Sequence, residues 1–216
     1  ENCLEPCIAQ CVKRCWFFLV ADEGGKWNIP LIGDVSPDCT PQWLIVYLTK
    51  EIAASPSAPR NDTLGVKNRL QVFPESGWFR LDHGYTTIFW HVPQQNMIHR
   101  ATHGHSDVCS LALLHKGQTI IIDPGRPAYQ GDEGCLAKDH NALTVDGFDP
   151  FLYDRAQKFP ASYQKRTVEC TWRAEENDFV FSIIHTGFYR IKGDKIDHVR
   201  RFRISERSLT VEDELR

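Results

Sequence analysis

The chain has 216 residues and a formal charge of −3, and 42% of it is apolar, including 12 Phe and 6 Trp. That is enough to build a packed core in one large domain, or in a helical piece followed by a β-domain. The weakly acidic balance, without a basic block, argues against nucleic acid as the main partner. The longest apolar stretch, Cys15 to Ala21, is too short to cross a bilayer, so no membrane insertion is expected.

Residues 1 to 21 read as an amphipathic helix, with Cys7, Ile8, Cys11, Val12, Cys15 and Leu19 at helical spacing. Pro6 fits the first turn, and Asp22-Glu23-Gly24-Gly25 stops the helix. Four of the 8 cysteines (Cys3, Cys7, Cys11 and Cys15) fall at steps of four and form one slowly turning stripe. A metal or cluster site would use such a stripe, but Cys-x-x-Cys is absent and free cysteine packs as a small hydrophobe. A packed helix face is therefore the expectation. Cys39, Cys109, Cys135 and Cys170 show no pairing pattern, and no disulfide framework is expected.

Trp27 to Asp34 runs extended into a turn-rich loop, and a short helix is expected over Gln42 to Ala53, opened by Thr40-Pro41. Ser55 to Asp62, rich in Pro, Ser and Ala, reads as a linker. The Asn61-Asp62-Thr63 sequon carries little weight, because such triplets are common by chance.

From Leu70 the pattern changes to strands: Leu70 to Phe73, Gly77 to Leu81, Thr86 to Val92, Val108 to Leu114 and Thr119 to Ile122. Further runs follow at Ala142 to Val145, Arg166 to Ala174, Phe179 to His185, His198 to Ile204 and Leu209 to Glu212, with Trp172 to Phe179 reading as a hairpin. Strands at this spacing without helical periods predict a mainly β, antiparallel β-sandwich. The chain shows no secretory leader pattern, and both ends fall inside expected elements, so it is expected to be a piece of a longer protein.

The densest chemistry lies in His103-Gly-His105-Ser-Asp107, the Thr119-Ile-Ile-Ile-Asp123-Pro-Gly125 run, and His140-Asn141. Two histidines at i and i+2 on a strand point to the same face, and Asp123 closes a run that surfaces from the core. Two imidazoles and a carboxylate with an open position suit zinc or a similar divalent ion. Single histidines on strands are more often solvated or core residues, and His91, His115, His185 and His198 are read that way. Arg200, Arg201 and Arg203 read as a polar sheet face rather than a patch for acidic glycan. Trp78, Phe89 and Trp90 offer stacking surfaces for sugars, although alternation turns at least one of the last two inward.

The order His-Gly-His-Ser-Asp, a strand ending Asp-Pro-Gly, a nearby Tyr, then His-Asn and Val-Asp-Gly resembles the heparinase II/III family of polysaccharide lyases. The Leu31 to Val35 segment resembles the point where that family's (α/α) toroid hands over to its supersandwich-like β-domain. The resemblance implies a toroid end and linker over residues 1–60 and a β-sandwich over 61–216, truncated at its C-terminus. It implies that His103 sits at the catalytic cleft and that His105, Asp123 and His140 hold a divalent metal, zinc, in a structural role. Asp107, Tyr129 and Asn141 match positions around the metal or along the substrate cleft.

The implied reaction is β-elimination on an acidic, uronate-containing polysaccharide. In the family the catalytic tyrosine and a neutralising Asn or His come from the toroid, N-terminal to this chain's start. The chain alone then holds half an active site and is expected to be inactive by itself. The resemblance implies a periplasmic or extracellular setting, whereas a stripe of free thiols fits a reducing compartment.

Two rivals stand beside this reading. His105-Ser-Asp107 also fits half of a two-His-one-carboxylate iron site, as in a cupin-like oxygenase, with His140 or His185 as distant ligand. The carboxylate that joins the histidines separates the two enzymes, Asp123 for the lyase and Asp107 for the oxygenase. The second rival is an inactive or carbohydrate-binding lyase-like protein of polysaccharide biosynthesis.

Overall fold

The computed structural model describes residues 20–21, 27–28, 69–73, 77–92, 105–123, 134–150, 168–175, 178–189, 191 and 196–216. Most of the expected N-terminal helix, the helix over Gln42 to Ala53, the linker, His103 and Tyr129 lie outside these residues. At the end of that helix the expectation is corrected. Val20–Ala21 (β1) pairs antiparallel with Trp27–Asn28 (β2), so these two residues are strand. No helix among the described residues is long and apolar enough to cross a membrane.

The strands form two antiparallel meanders. Arg69–Phe73 (β3), Trp78–His83 (β4), Thr86–His91 (β5), Leu111–His115 (β6) and Gln118–Ile121 (β7) lie in sequence order in one sheet. Val168–Ala174 (β8), Phe179–His185 (β9), His198–Ile204 (β10) and Leu209–Leu215 (β11) do the same in a second. Turn chemistry sets the reversals. At His115-Lys116-Gly117-Gln118 both central residues take positive φ, 52° and 76°, the geometry that matches strand twist in a two-residue hairpin.

Alternation along β9 and β10 turns Phe179, Phe181, Ile183, Phe202 and Ile204 toward the first sheet, where they meet Phe79, Leu81, Ile88 and Trp90. The Trp90 ring lies 4.7 Å from that of Phe181 and 5.5 Å from that of Phe202, which closes the sandwich at its centre. Full burial of one such side chain contributes roughly 1.5–3 kcal/mol. The opposite face of the first sheet is covered too, with Phe89, Ala112 and Leu114 fully buried. This explains why β5 and β6 read as nearly continuous apolar runs. Phe89 and Trp90 are both buried, on opposite faces.

Two other expected strand segments differ. Val108 to Ser110 is a turn, because Ser110 N–H bonds to the carbonyl of Asp107 and Cys109 takes φ 67°. His105 is likewise outside the strands, so period-two alternation does not govern it. Ala142 to Val145 makes only an isolated bridge from Val145 to Phe148, because Asp146 and Gly147, both at positive φ, close the chain back at once.

Candidate functional site

The end of the first sheet where β5 finishes, β6 begins and β7 finishes gathers most of the described polar side chains read from sequence. The pairing of Trp90 with Leu111 brings the segment 105–110 beside His91. Ser106 N–H donates to the carbonyl of Cys135 at 2.8 Å, tying this segment to the stretch that carries His140. A 3-10 turn over Ala137–Asp139 then delivers His140. Asn141 acts as a staple. Its Oδ1 accepts from Leu111 N–H at 2.7 Å, and its Nδ2 donates to the carbonyls of Leu111 at 2.8 Å and Ile122 at 3.3 Å.

Two carboxylate–imidazole pairs result. In the first, His140 Nδ1 lies 2.8 Å from Asp123 Oδ1, and the Ser110 hydroxyl donates to Asp123 Oδ2 at 3.0 Å. A carboxylate only accepts, so in the neutral ring the proton sits on Nδ1 and Nε2 of His140 carries the lone pair. That Nε2 is buried, with no hydrogen-bond partner among the described residues. The His105 ring stands 5.2 Å away, centroid to centroid.

In the second pair, His91 Nδ1 donates to Asp107 Oδ2 at 2.7 Å, and the His91 ring stacks on Trp78, its cross-strand neighbour, at 4.9 Å. Burial works against the charged form of each imidazole, yet the carboxylate beside it outweighs burial, and both His91 and His140 are raised above the ordinary value. Burial likewise disfavours the charged Asp107, but His91, with smaller contributions from His140 and His105, brings it down to about 2.

The predicted metal set can therefore be tested for fit. An imidazole oriented by a carboxylate on one nitrogen, with a buried lone pair on the other, is the arrangement that prepares a histidine for a metal. His105 stands beside it, whereas Asp123 faces the opposite ring nitrogen and the Ser110 hydroxyl, and the donor atoms of His105, Asp123 and His140 do not all fall within 4.8 Å of one another. In this geometry Asp123 bonds to His140, whereas Asp107 is turned to His91. His91, bonded to Asp107 and with 17% side-chain exposure, is in keeping with its reading as a core or solvated residue.

One set of three donors among the described residues does lie within 4.8 Å of one another, and it is Cys109, His185 and His198. Its ring nitrogens are already committed. Gly187 N–H donates to His185 Nδ1 at 3.1 Å, which puts the His185 proton on Nε2, 2.8 Å from His198 Nδ1. His198 Nε2 then donates to Asp213 Oδ1 at 2.7 Å. Burial also pushes the Cys109 thiol far up, away from the thiolate a metal needs. We read this set as a core network, in keeping with the plain reading of His185 and His198. The three described cysteines, Cys109, Cys135 and Cys170, are free thiols.

Arg200 corrects the reading of a polar face at that position. It is buried, forks onto Asp213 at 2.6 and 2.8 Å, and reaches the carbonyls of Cys109 and Asn141. Arg201 and Arg203 do pair with carboxylates on the outer face, with Glu214 and with Glu175 and Asp178.

Residues 65–216 match the heparinase II/III-like C-terminal domain. The chain belongs to that family. Among solved structures it is similar to a crystal structure of heparinase III, with a TM-score of 0.62 and 12% identity over 94% of this chain. The chain spans about a third of that neighbour's length, 33%. No match is found among curated proteins. At this identity the neighbour bears out the antiparallel sandwich and leaves residue roles to chemistry.

Proposed function

We propose that the chain is the β-sandwich portion of a polysaccharide lyase that cleaves uronate-containing glycans by β-elimination. The observation that carries the reading is the carboxylate-oriented pair His140–Asp123, next to His105, in a chain of this family. Asp123 bonds to His140 and Asp107 to His91, and the family match favours the lyase-type set over the oxygenase-type set.

The proton next to a uronate carboxylate becomes labile only when that carboxylate is neutralised and a base stands ready. His103 would face the cleft as an imidazole able to titrate near neutrality. His105 and His140 would hold zinc, with Asp123 orienting His140 from the other ring nitrogen, and the ion would supply a fixed positive charge that locks their segments together. Asn141 and Ser110 hold His140 and Asp123 in register with β6. The tyrosine that passes a proton to the leaving oxygen would come from outside this chain, on the preceding toroid.

The test uses the full-length protein with heparan sulfate, hyaluronan and alginate, following the ultraviolet absorbance of unsaturated uronate products. We expect one of the three to give product, His103→Ala to abolish it, and His140→Ala to lower bound zinc in elemental analysis. Absence of unsaturated product from all three overturns the lyase reading. Zinc content unaltered in His140→Ala overturns the metal set.

A further inference from the structure

We propose that His91 is a further substrate-contacting residue of the cleft, which presents Nε2 to a sugar oxygen while Asp107 and Trp78 position its ring. The proposal rests on the polysaccharide reading above and adds to it a residue that the metal set does not include.

Three observations carry it. First, the two imidazole–carboxylate pairs are built alike at Nδ1 but differ at the other nitrogen. Nε2 of His140 is buried, whereas Nε2 of His91 is not among the buried polar atoms that lack a partner, and the His91 side chain keeps 17% exposure. With Nδ1 bonded to Asp107, the outward nitrogen has no partner among the described residues and is left for a ligand. Second, the ring cannot swing away. It stacks on Trp78 at 4.9 Å with an interplanar angle of 27°, and Trp78 packs against the buried Phe89 cluster. A side chain held on one nitrogen and on one face has little rotamer entropy left to lose when it binds.

Third, the place is right for the glycan. His91 ends β5, and Asp107, its partner, lies two residues from His105 on the segment that leads into β6. The orienting carboxylate thus comes from the same segment as His105, at the same end of the sheet as His140. An imidazole suits the ligand class in either protonation state. Nε2 accepts from a sugar hydroxyl when neutral and donates to a hydroxyl or uronate oxygen when charged.

The two amide isosteres of histidine separate this role from a merely structural one. Asparagine keeps a donor near the Nδ1 position, so His91→Asn preserves the bond to Asp107 and deletes the outward nitrogen. Glutamine reaches the Nε2 position, so His91→Gln keeps the outward group and gives up the bond to Asp107. In the full-length protein we expect His91→Asn to weaken calorimetric binding of whichever of heparan sulfate, hyaluronan and alginate oligosaccharides the wild type binds. The loss expected for one hydrogen bond is about tenfold, carried in KM more than in kcat. His91→Gln should stay within about threefold of wild type.

The reverse order, with His91→Gln the weaker binder, makes His91 a support for Asp107 and overturns the proposal. Equal binding by both variants and the wild type overturns it as well, as does failure of the wild type to bind any of the three. Binding in the expected order without unsaturated product leaves this subsite standing and sinks the lyase reading instead.

Discussion

Arg200 of β10 donates from Nη1 to the carbonyl oxygen of Asn141 at 2.5 Å, so a strand of the second sheet holds the residue that follows His140. The same guanidinium forks onto Asp213 of β11 at 2.6 and 2.8 Å. Removing it strands a carboxylate and two main-chain acceptors. Loss of one partner of a buried ion pair costs about 3–5 kcal/mol. Asp213 keeps 30% side-chain exposure, so we expect Arg200→Met to sit at the low end, about 3 kcal/mol. Arg200→Lys recovers part of this, because an ammonium cannot fork. Denaturant midpoints with unchanged slopes check it, and a loss below about 1 kcal/mol would mean that water replaces the guanidinium.

Asn141 makes a second, local prediction. Its side chain satisfies both main-chain groups of Leu111, the first residue of β6. Asn141→Ala leaves them without that partner and should cost about 1–3 kcal/mol. Asn141→Asp keeps the acceptor for Leu111 N–H and loses the donor to the two carbonyls. Amide exchange at Leu111 should therefore accelerate in the alanine variant and stay slow in the aspartate variant. Equal acceleration in both would show that the staple works through its donor alone.

How far the sequence carried this far depends on which contacts are local. Phe179 to His185 and His198 to Ile204 were legible residue for residue, because strict alternation against one core leaves a single register. The same alternation held a clue that a polar-face reading passes over. If Phe202 and Ile204 point inward, Arg200 and His198 must do so too, and both are buried. The bond between His91 and Asp107 was not legible. The two residues stand 16 apart in sequence and meet only through strand pairing at Trp90 and Leu111. Asp123 and His140 were expected together from the family resemblance, although nothing local announces that Nδ1 of His140 takes the carboxylate. Ala142 to Val145 looked like a strand because its apolar content outweighed the Asp146-Gly147 turn signal beside it.

His185 gives the core network a pH signature. Burial, then His198 and Arg200, pushes its imidazole down to about 3, against about 6.5 in an unfolded chain. Between those values the unfolded chain carries a proton that the folded one refuses, so stability rises with pH across the window. The contribution is fully present above the unfolded value and is lost as pH falls toward 3, at about 1.4 kcal/mol per pH unit. Asp213 is also depressed, mainly by His198 and Arg200 working against burial, but its contribution is lost only below the unfolded carboxylate value of about 3.9. From about pH 4.5 to 5.5 the His185 contribution is therefore separated from that of Asp213. Unfolding free energies of His185→Phe should be flatter than wild type by about one proton over that interval. Parallel curves would mean that the folded protein admits the proton.

Gly187 is the residue on which that imidazole turns. A Cβ added there would lie 2.4 Å from the carbonyl oxygen of Pro150, 2.7 Å from its carbon and 2.9 Å from Nδ1 of His185. The first two belong to main chain, which cannot rotate out of the way as a side chain can. Gly187→Ala must therefore push the backbone at Pro150 and His185 apart, and overpacking of this kind costs about 1–3 kcal/mol. The displacement also strikes the hydrogen bond from Gly187 N–H to His185 Nδ1, which fixes the tautomer of the pair. Losing that donor frees Nδ1 to take a proton, so the variant should combine a lower melting temperature with a shallower pH dependence between about 4.5 and 5.5. A melting temperature equal to wild type would require the Pro150 and Gly187 backbones to stand farther apart in solution.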